Sequence, residues 1–404
     1  MGKMMRIVLI ADAYPPMRSS GSVQLRDLSQ EFVRQGFLTT VLIPSAQLDV
    51  PWLLEEMNGV QVLRLKAPQT KDIGYLRRTV GEFLMPFMML RNLRKSPLAI
   101  ACWDGVVWYS PSIFLGPIAK ALKKACGCRS YLIVRDIFPE WAVDMGLLCR
   151  GLAYRFFKMI EHYQYSVADV IGVQSPGNVA YFDYWAKQNG KRVEVLQNWL
   201  ADEPGVECSI VVRDGLLAGR KIFVYAGNMG VAQGMDILLD LAHALRGRDD
   251  IGFLFVGRGS DAKRLQDAAK AQKLKNVVFH DEIDPSEIPG LYAQCHIGMV
   301  ALDPRHKTHN IPGKFLSYMQ SGLPVLATIN PGNDLEILIN TERVGRVCSN
   351  GSVVTLQKLA EELIGAISVD PEIRARCKSL SAPLFSPEVA VKKIIAALHP
   401  TRQI

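Results

Sequence analysis

The sequence predicts an α/β fold of two doubly wound, Rossmann-like domains facing a cleft. Three observations carry that prediction. Short continuous apolar runs, such as Arg6-Ile-Val-Leu-Ile-Ala11, Lys221-Ile-Phe-Val-Tyr-Ala226 and Ile251-Gly-Phe-Leu-Phe-Val256, read as strands buried on both faces of a parallel sheet. Segments of helical period alternate with them. Small-residue or glycine-bearing loops follow the strands, at the sheet edge where ligands of such folds collect. A chain of 404 residues is long enough for two cores of ordinary size, and 49% hydrophobic against 21% charged residues describes globular domains.

Taken in order, the strand at 6–11 ends in Asp12-Ala-Tyr-Pro-Pro and a loop, Arg18-Ser-Ser-Gly-Ser22. A helix is expected over about 23–35, closed by Gly36, and a second strand over 39–44. The loop at 19–22, with Gly21, is therefore a candidate substrate contact, or a plain connection. Strands follow at 60–65, 105–109 and 130–134, with a helix over 113–124. The strand at 130–134 ends in Arg135-Asp-Ile-Phe-Pro-Glu140. Asp136 and Glu140 stand where α/β enzymes keep their chemistry, although capping and first-turn placement would also explain them. A long helix over 150–166 and a strand from Val193 to Asn198 complete the first half.

Residues 201–219 lack a clear period and mark the boundary. The expected domains are 1–200, joined by a last amphipathic helix within 386–404, and 201–385. The strand at 221–226 opens through Gly227-Asn-Met-Gly-Val-Ala-Gln-Gly onto an expected helix ending near Leu245, a geometry suited to phosphate. Another strand ends in Gly257-Arg-Gly-Ser260, where Arg258 either meets a phosphate or caps a turn. Strands at 277–280, 297–301 and 325–328 follow. The stretch from Asn310 to Ala327 reads as a loop, a short helix from Lys314 to Ser321, a stop at Gly322 and a buried strand. Lys314 in the first turn strengthens the anion preference of a helix N-terminus.

The net charge of +8 suits anionic partners without choosing among them. Eight scattered cysteines show no zinc-type spacing, so no metal is expected, and dispersed thiols fit a reducing compartment. The apolar run after the N-terminus is too short for a signal peptide, and the uncharged stretch at 105–119 is broken by Pro111, Gly116 and Pro117. Residues 75–95 carry Leu76, Val80, Phe83, Leu84, Phe87 and Met88 among Arg77, Arg78, Arg91, Arg94 and Lys95. This composition suits an anionic membrane surface or a core helix kinked at Pro86. Basic residues do not concentrate elsewhere, so no nucleic-acid partner is expected.

Read together, Tyr14-Pro-Pro with Ser20-Gly21, Asp136-Ile-Phe-Pro-Glu140, Tyr225-Ala-Gly-Asn-Met-Gly with Gln233-Gly234, Phe255-Val-Gly-Arg-Gly259 and the run from Pro312 to Val325 resemble a known family. The chain is similar, nearly end to end, to retaining GT-B glycosyltransferases of the family-four type. Within it, the chain looks most like the WbuB-like transferases of bacterial O-antigen assembly, which handle N-acetyl-L-fucosamine. The resemblance implies a UDP-sugar donor and a polyprenyl-diphosphate-linked glycan acceptor. It also implies a peripheral place on the cytoplasmic face of the inner membrane, no cofactor or obligate metal, and a final helix packed back on the first domain.

The implied roles are catalytic for Asp136, Glu140 and Lys314. Donor contacts fall to Gly21, Gly227, Asn228, Gln233, Arg258, Asn310, Ser317 and Asp334, with Glu336 beside them. The chain also departs from the pattern. Asn228 and Gln233 stand where the wider family carries Arg and Lys, and His309 and Ser317 where it carries paired glutamates. Either the phosphate charge has moved to Lys314, Arg258 or residues 305–307, or activity is lost. A UDP-sugar epimerase on the same fold and a non-catalytic membrane-associated assembly subunit are the rival readings.

Overall fold

The structure is a computed structural model that describes residues 4–17, 19–202 and 205–399. It divides into two units, Met1–Ala201 with Pro387–Ile404, and Asp202–Ser386. Each is a doubly wound sheet with helices on both faces, the α/β class the apolar runs predict.

The first unit holds strands β1 (Arg6–Ile10), β2 (Leu38–Ser45), β3 (Trp52–Met57), β4 (Val60–Lys66), β5 (Gly105–Ser110), β6 (Arg129–Val134), β7 (Val170–Val173) and β8 (Arg192–Val195). They lie in the order β3-β4-β2-β1-β5-β6-β7-β8, parallel except for the antiparallel edge pair β3–β4. The strand order reverses between β1 and β5, so their carboxyl ends flank the natural crevice of this sheet. Its helices are α1 (Ser20–Arg34), α2 (Tyr75–Leu93), α3 (Gly116–Cys126), α4 (Glu140–Asp144), α5 (Leu152–Val167) and α6 (Asp183–Lys187). One core, with Leu25, Leu28 and Phe32, lies on the α1 side of the sheet, and another, with Met85, Met89, Ile118 and Tyr165, lies beneath α2, α3 and α5.

The second unit holds β9 (Lys221–Ala226), β10 (Ile251–Val256), β11 (Val277–His280), β12 (Ile297–Ala301), β13 (Val325–Thr328) and β14 (Gly345–Cys348). All pair in parallel in the order β11-β10-β9-β12-β13-β14, with the reversal between β9 and β12. Its helices are α7 (Asp236–Ala244), α8 (Ala262–Ala271), α9 (Ile288–Ala293), α10 (Gly313–Gln320), α11 (Asp334–Glu342), α12 (Val353–Val369) and α13 (Ile373–Phe385). After α13 the chain returns to the first unit as α14 (Pro387–Leu398). Val391, Ile394 and Ile395 join the α1-side core there, and Leu398 reaches the space beside Gly105.

Several boundaries differ from the pattern-based ones for identifiable reasons. Helix α1 starts at Ser20, because the Ser19 side chain accepts the Ser22 N–H at 3.2 Å and caps it. Residues 20–22 are thus a first helical turn, and Arg18 lies outside the described residues. Helix α3 starts at Gly116 with Pro117 in its first turn, the one helical place where proline loses nothing. The edge strand β3 escapes notice in the sequence because Trp-Leu-Leu-Glu-Glu-Met does not alternate cleanly. Helix α2 runs through Pro86, with Met85, Pro86, Met89 and Leu93 buried. Its other face exposes Val80, Phe83, Leu84 and Phe87, with Tyr75 88% exposed and Leu76 80%. Among the described residues no helix is long and apolar enough to cross a membrane.

Candidate active site

In the second unit three loops at the carboxyl edge converge. The loops after β9 and β10 cross in contact: Gly227 N–H donates to Val256 O at 2.9 Å, and Met229 N–H to Arg258 O at 2.8 Å. That crossing requires glycine. A Cβ on Gly257 would lie 2.1 Å from Gly227 O, one on Gly259 would lie 2.2 Å from Met229 O, and both φ angles are positive. The β9 loop also abuts the loop after β12, since a Cβ on Gly234 would sit 3.1 Å from the Asp303 Cα.

The glycine stretch leads onto α7 as expected, but Gly227–Gly230 are not themselves the helix N-terminus. A short 3-10 turn, Val231–Gln233, separates Gly227 from α7. Of the amides expected to cradle phosphate, those of Gly227 and Met229 go to the β10 side, and that of Gly230 is engaged within its own loop. Gln233 Oε1 accepts from Gly230 N–H at 3.0 Å and from Asn228 Nδ2 at 3.2 Å. Tyr225 OH donates to Asn228 O at 2.7 Å.

The cation in this assembly comes from α10. Lys314, half-buried in the first turn, brings its Cε within 3.7 Å of where a Gly227 Cβ would stand. Its ammonium lies 4.4 Å from the centre of the Tyr225 ring. The helix is seated by Tyr318, whose hydroxyl donates to Val224 O (3.0 Å) or Met299 O (3.1 Å), with its ring over Gly298, where a Cβ would clash at 2.5 Å. Lys314, Gly227, Asn228 and Gln233 are thus brought together.

The remaining donor candidates have partners of their own. Arg258 Nε pairs with Glu282 Oε2 at 3.0 Å on the surface. Ser317 Oγ turns back along its helix to Gly313 O at 3.4 Å. Asn310 lies in the loop before α10. Asp334 opens α11 with Oδ1 3.5 Å from His309 Nδ1. Glu336 accepts from Ser349 Oγ at 3.1 Å.

In the first unit Gly21 lies against Tyr109: a Cβ there would be 3.6 Å from the ring. Tyr109 OH donates to Gln24 Oε1 at 2.8 Å. Burial pushes its phenol up to about 12; Arg135 opposes this, and the charges of Asp136 and Asp12 add to it. Asp136 follows the end of β6, and its charge is felt at Tyr109. Glu140 does not. It accepts from Tyr154 OH at 2.8 Å, pairs with Lys158 at 3.1 Å, and has Arg150 at 3.6 Å. Burial raises its carboxyl, but the hydrogen bonds from Tyr154 and Lys158 outweigh it and leave the group below its usual range. Lys158 also holds Glu161 at 2.6 Å, so Glu140 is one anion of a salt-linked cluster against α5.

Tyr225, Tyr109, Gln24 and Trp199 were not singled out by sequence reasoning. A signal existed for Tyr225, which stands near the end of β9 just before the glycine loop. Gln24 gave none, because a glutamine in an amphipathic helix looks like any solvated position.

Residues 220–368 match the family model described as glycosyl transferases group 1. Among curated proteins, the chain is 24% identical over 297 residues to the probable glycosyltransferase WbjE of Pseudomonas aeruginosa, covering 69% of this chain and 70% of that one. It is 25% identical over 213 residues to the putative colanic acid biosynthesis glycosyl transferase WcaI of Escherichia coli, covering 48% and 50%. Among solved structures, sucrose-phosphate synthase from Thermosynechococcus elongatus superimposes with a TM-score of 0.73 at 15% identity, covering 96% of this chain and 97% of that one. HepE from Anabaena, solved with UDP, gives 0.64 at 15%, covering 98% and 100%. Both likenesses show the fold of GT-B glycosyltransferases. The match over residues 220–368, the two curated relatives and the shared fold all point to glycosyltransferases as what this chain is similar to.

Proposed function

We propose that the chain moves a sugar from a UDP-activated donor to a polyprenyl-diphosphate-linked glycan in bacterial surface-polysaccharide synthesis, with retention at the anomeric carbon. The observation that carries this reading is Lys314 at the start of α10, against the crossed glycine loops after β9 and β10. A departing diphosphate needs fixed positive charge, and a lysine on a helix N-terminus supplies both ammonium and dipole. The likeness to HepE, solved with UDP, supports a uridine diphosphate donor. The likeness to WbjE and WcaI supports a glycosyltransferase, and the name of WcaI, a colanic acid biosynthesis transferase, supports a polysaccharide product.

In this reading the bond between the anomeric carbon and the diphosphate oxygen breaks as the acceptor oxygen attacks from the same face. The acceptor proton passes to the departing diphosphate. Asp136 orients the acceptor hydroxyl, a task for which its place just past the end of β6 suits it better than Glu140, bound up with Lys158. No step runs through a metal or an organic cofactor. The motif resemblance to WbuB-like transferases supports N-acetyl-fucosamine or a related amino sugar as the group transferred.

The exposed apolar face of α2, with Arg77, Arg91, Arg94 and Lys95 also exposed, supports attachment to the cytoplasmic face of the inner membrane, where a polyprenyl-linked acceptor lies. The test is radiolabel transfer from a panel of UDP-sugars into bacterial lipid extract. Label in a lipid product that mild acid releases supports the reading. Turnover of a UDP-sugar without lipid would replace it with epimerisation, and binding without turnover with a non-catalytic subunit.

A further inference from the structure

Thiols gather at the amino-terminal edge of the first unit's sheet, the edge opposite the one that holds Gly21 and Asp136. Cys102 lies on the segment that enters β5, Cys126 ends α3, and Cys128 immediately precedes β6. In the parallel β5–β6 ladder Gly105 stands opposite Arg129, so Cys102 and Cys126 precede that pair by the same number of residues on neighbouring stretches of chain. A hydrogen bond joins the two stretches there. The Trp103 N–H, the amide that follows Cys102, donates to Cys126 Sγ at 3.2 Å. Only two covalent bonds separate that nitrogen from the Cys102 Cα, which puts the Cys126 sulfur within about 6 Å of it. Rotation of the two side chains closes such a gap to a disulfide.

Both stretches are held by their backbones. Asp104 N–H donates to Arg6 O at 2.7 Å, and Asp104 Oδ2 accepts from Arg6 N–H at 2.8 Å, which ties the entry to β5 onto β1. Facing it, Gly127 takes a left-handed φ of 62° and turns the end of α3 straight into β6. Exposure then divides the thiols. Cys102 is exposed, whereas Cys126 and Cys128 are half-buried, so an oxidant arriving from water meets Cys102 first. Burial pushes the Cys126 thiol up; the Trp103 N–H opposes that shift and Cys102 adds to it. Burial likewise pushes Cys128 up to about 12, with Cys126 and Cys102 adding to the effect. Cys126 is thus suited to answer an oxidised Cys102, not to be oxidised first.

We propose that Cys102 and Cys126 are a dithiol that hydrogen peroxide converts to a disulfide, a covalent staple between the entry to β5 and the end of α3. The Cys102 sulfur gives up its proton and attacks one peroxide oxygen; an S–O bond forms, the O–O bond breaks, and the released hydroxide takes the proton and leaves as water. The Cys126 sulfur then attacks the sulfenic sulfur. An S–S bond forms, the S–O bond breaks, and the hydroxyl departs as a second water with the Cys126 proton. Two thiols are oxidised and one peroxide is reduced. The closed loop holds all of β5 and α3, so the staple removes freedom from the unfolded chain and stabilises this unit.

The test treats the full chain, reduced and desalted, with hydrogen peroxide. Remaining thiols are blocked, and a non-reducing digest is read by mass spectrometry. A peptide pair joining Cys102 to Cys126, released by dithiothreitol, should account for most of the Cys102 signal in the wild type and in Cys128→Ser. It should be absent from Cys102→Ser and Cys126→Ser. The oxidised wild type should melt about 5 °C above the reduced protein, and Cys102→Ser should show no such rise. The wild-type map needs no variant, and Cys126→Ala replaces Cys126→Ser should the latter not fold. Cys102 carried to the sulfinic acid while Cys126 stays a free thiol overturns the proposal. So does a disulfide that joins Cys102 to Cys128, or to the exposed Cys149 of a second chain. No sugar transfer enters the readout, so the outcome stands apart from the enzymatic reading above.

Discussion

The ammonium of Lys314 lies 4.4 Å from the centre of the Tyr225 ring, joining the first turn of α10 to the end of β9. Tyr225 is itself held by its bond to Asn228 O, so the cation rests on a ring that the glycine loop immobilises. A lysine stem ordinarily moves freely, and the ring face lowers its freedom.

Lys314→Ala should therefore lower kcat/KM for the UDP-sugar about 10²- to 10³-fold, the range seen when one fixed donor to a developing anion is removed. Because Lys314 is half-buried and contributes little to the core, the thermal midpoint should barely move. Steady-state kinetics beside a thermal melt checks both. An unchanged kcat/KM removes Lys314 from the mechanism.

The two acids of the Asp136–Glu140 motif should separate. Asp136→Asn is expected to cut kcat about 10²- to 10⁴-fold with little loss of stability. Glu140→Gln breaks the charge set of Lys158, Arg150 and Tyr154, and should cost about 1–3 kcal/mol of stability while reducing kcat far less. Denaturant titration and initial rates on the two variants decide it. The reverse ranking in kcat would return the acceptor role to Glu140.

Asp169 supplies a pH dependence of stability. Its carboxylate accepts from Lys123 Nζ at 2.6 Å and from Ser130 N–H and Oγ, both at 2.9 Å. Burial raises this carboxyl, and those bonds outweigh it, leaving the group below its usual range. A carboxyl depressed in the folded state stabilises above its unfolded value, near 3.9, and the contribution fades as pH falls through the lower folded value. Asp169→Asn should thus lose about 1–2 kcal/mol at pH 7, and the gap to wild type should close below about pH 4. Urea unfolding at pH 7 and pH 3.5 measures the difference, and a constant gap contradicts the assignment.

Vesicle binding tests the exposed face of α2. Replacing Arg77 and Arg91 by Ala should weaken binding to anionic vesicles by about 1 kcal/mol, roughly fivefold, for each charge. Leu76→Glu should weaken it further, with no change in melting temperature because Leu76 is 80% exposed. Co-sedimentation with phosphatidylglycerol and with neutral vesicles reads both effects. Equal binding by all variants excludes this face as the contact.

The fold class was legible because a parallel sheet writes itself locally. A strand covered on both faces must be apolar throughout, and a helix beside it must carry a stripe, so Arg6–Ile10 and Lys221–Ala226 announce themselves without tertiary knowledge. Edges and caps were less legible. The edge strand β3 has one covered face and an irregular pattern, and α1 gains a turn from a single serine hydroxyl that propensity does not foresee.

By itself the sequence determined two doubly wound sheets, the loops that follow their strands, and Lys314 as the cation of the Asn310–Ala327 stretch. Only the tertiary structure decided how those loops use their polar groups. It turned the Gly227 and Met229 amides onto the β10 loop, set Lys314 against the Tyr225 ring, and drew Glu140 into a salt-linked cluster. The reason is physical. Burial of a strand is fixed by its own residues, whereas the partner of a hydrogen-bonding group is whichever group, often far along the chain, the packing brings within about 3 Å.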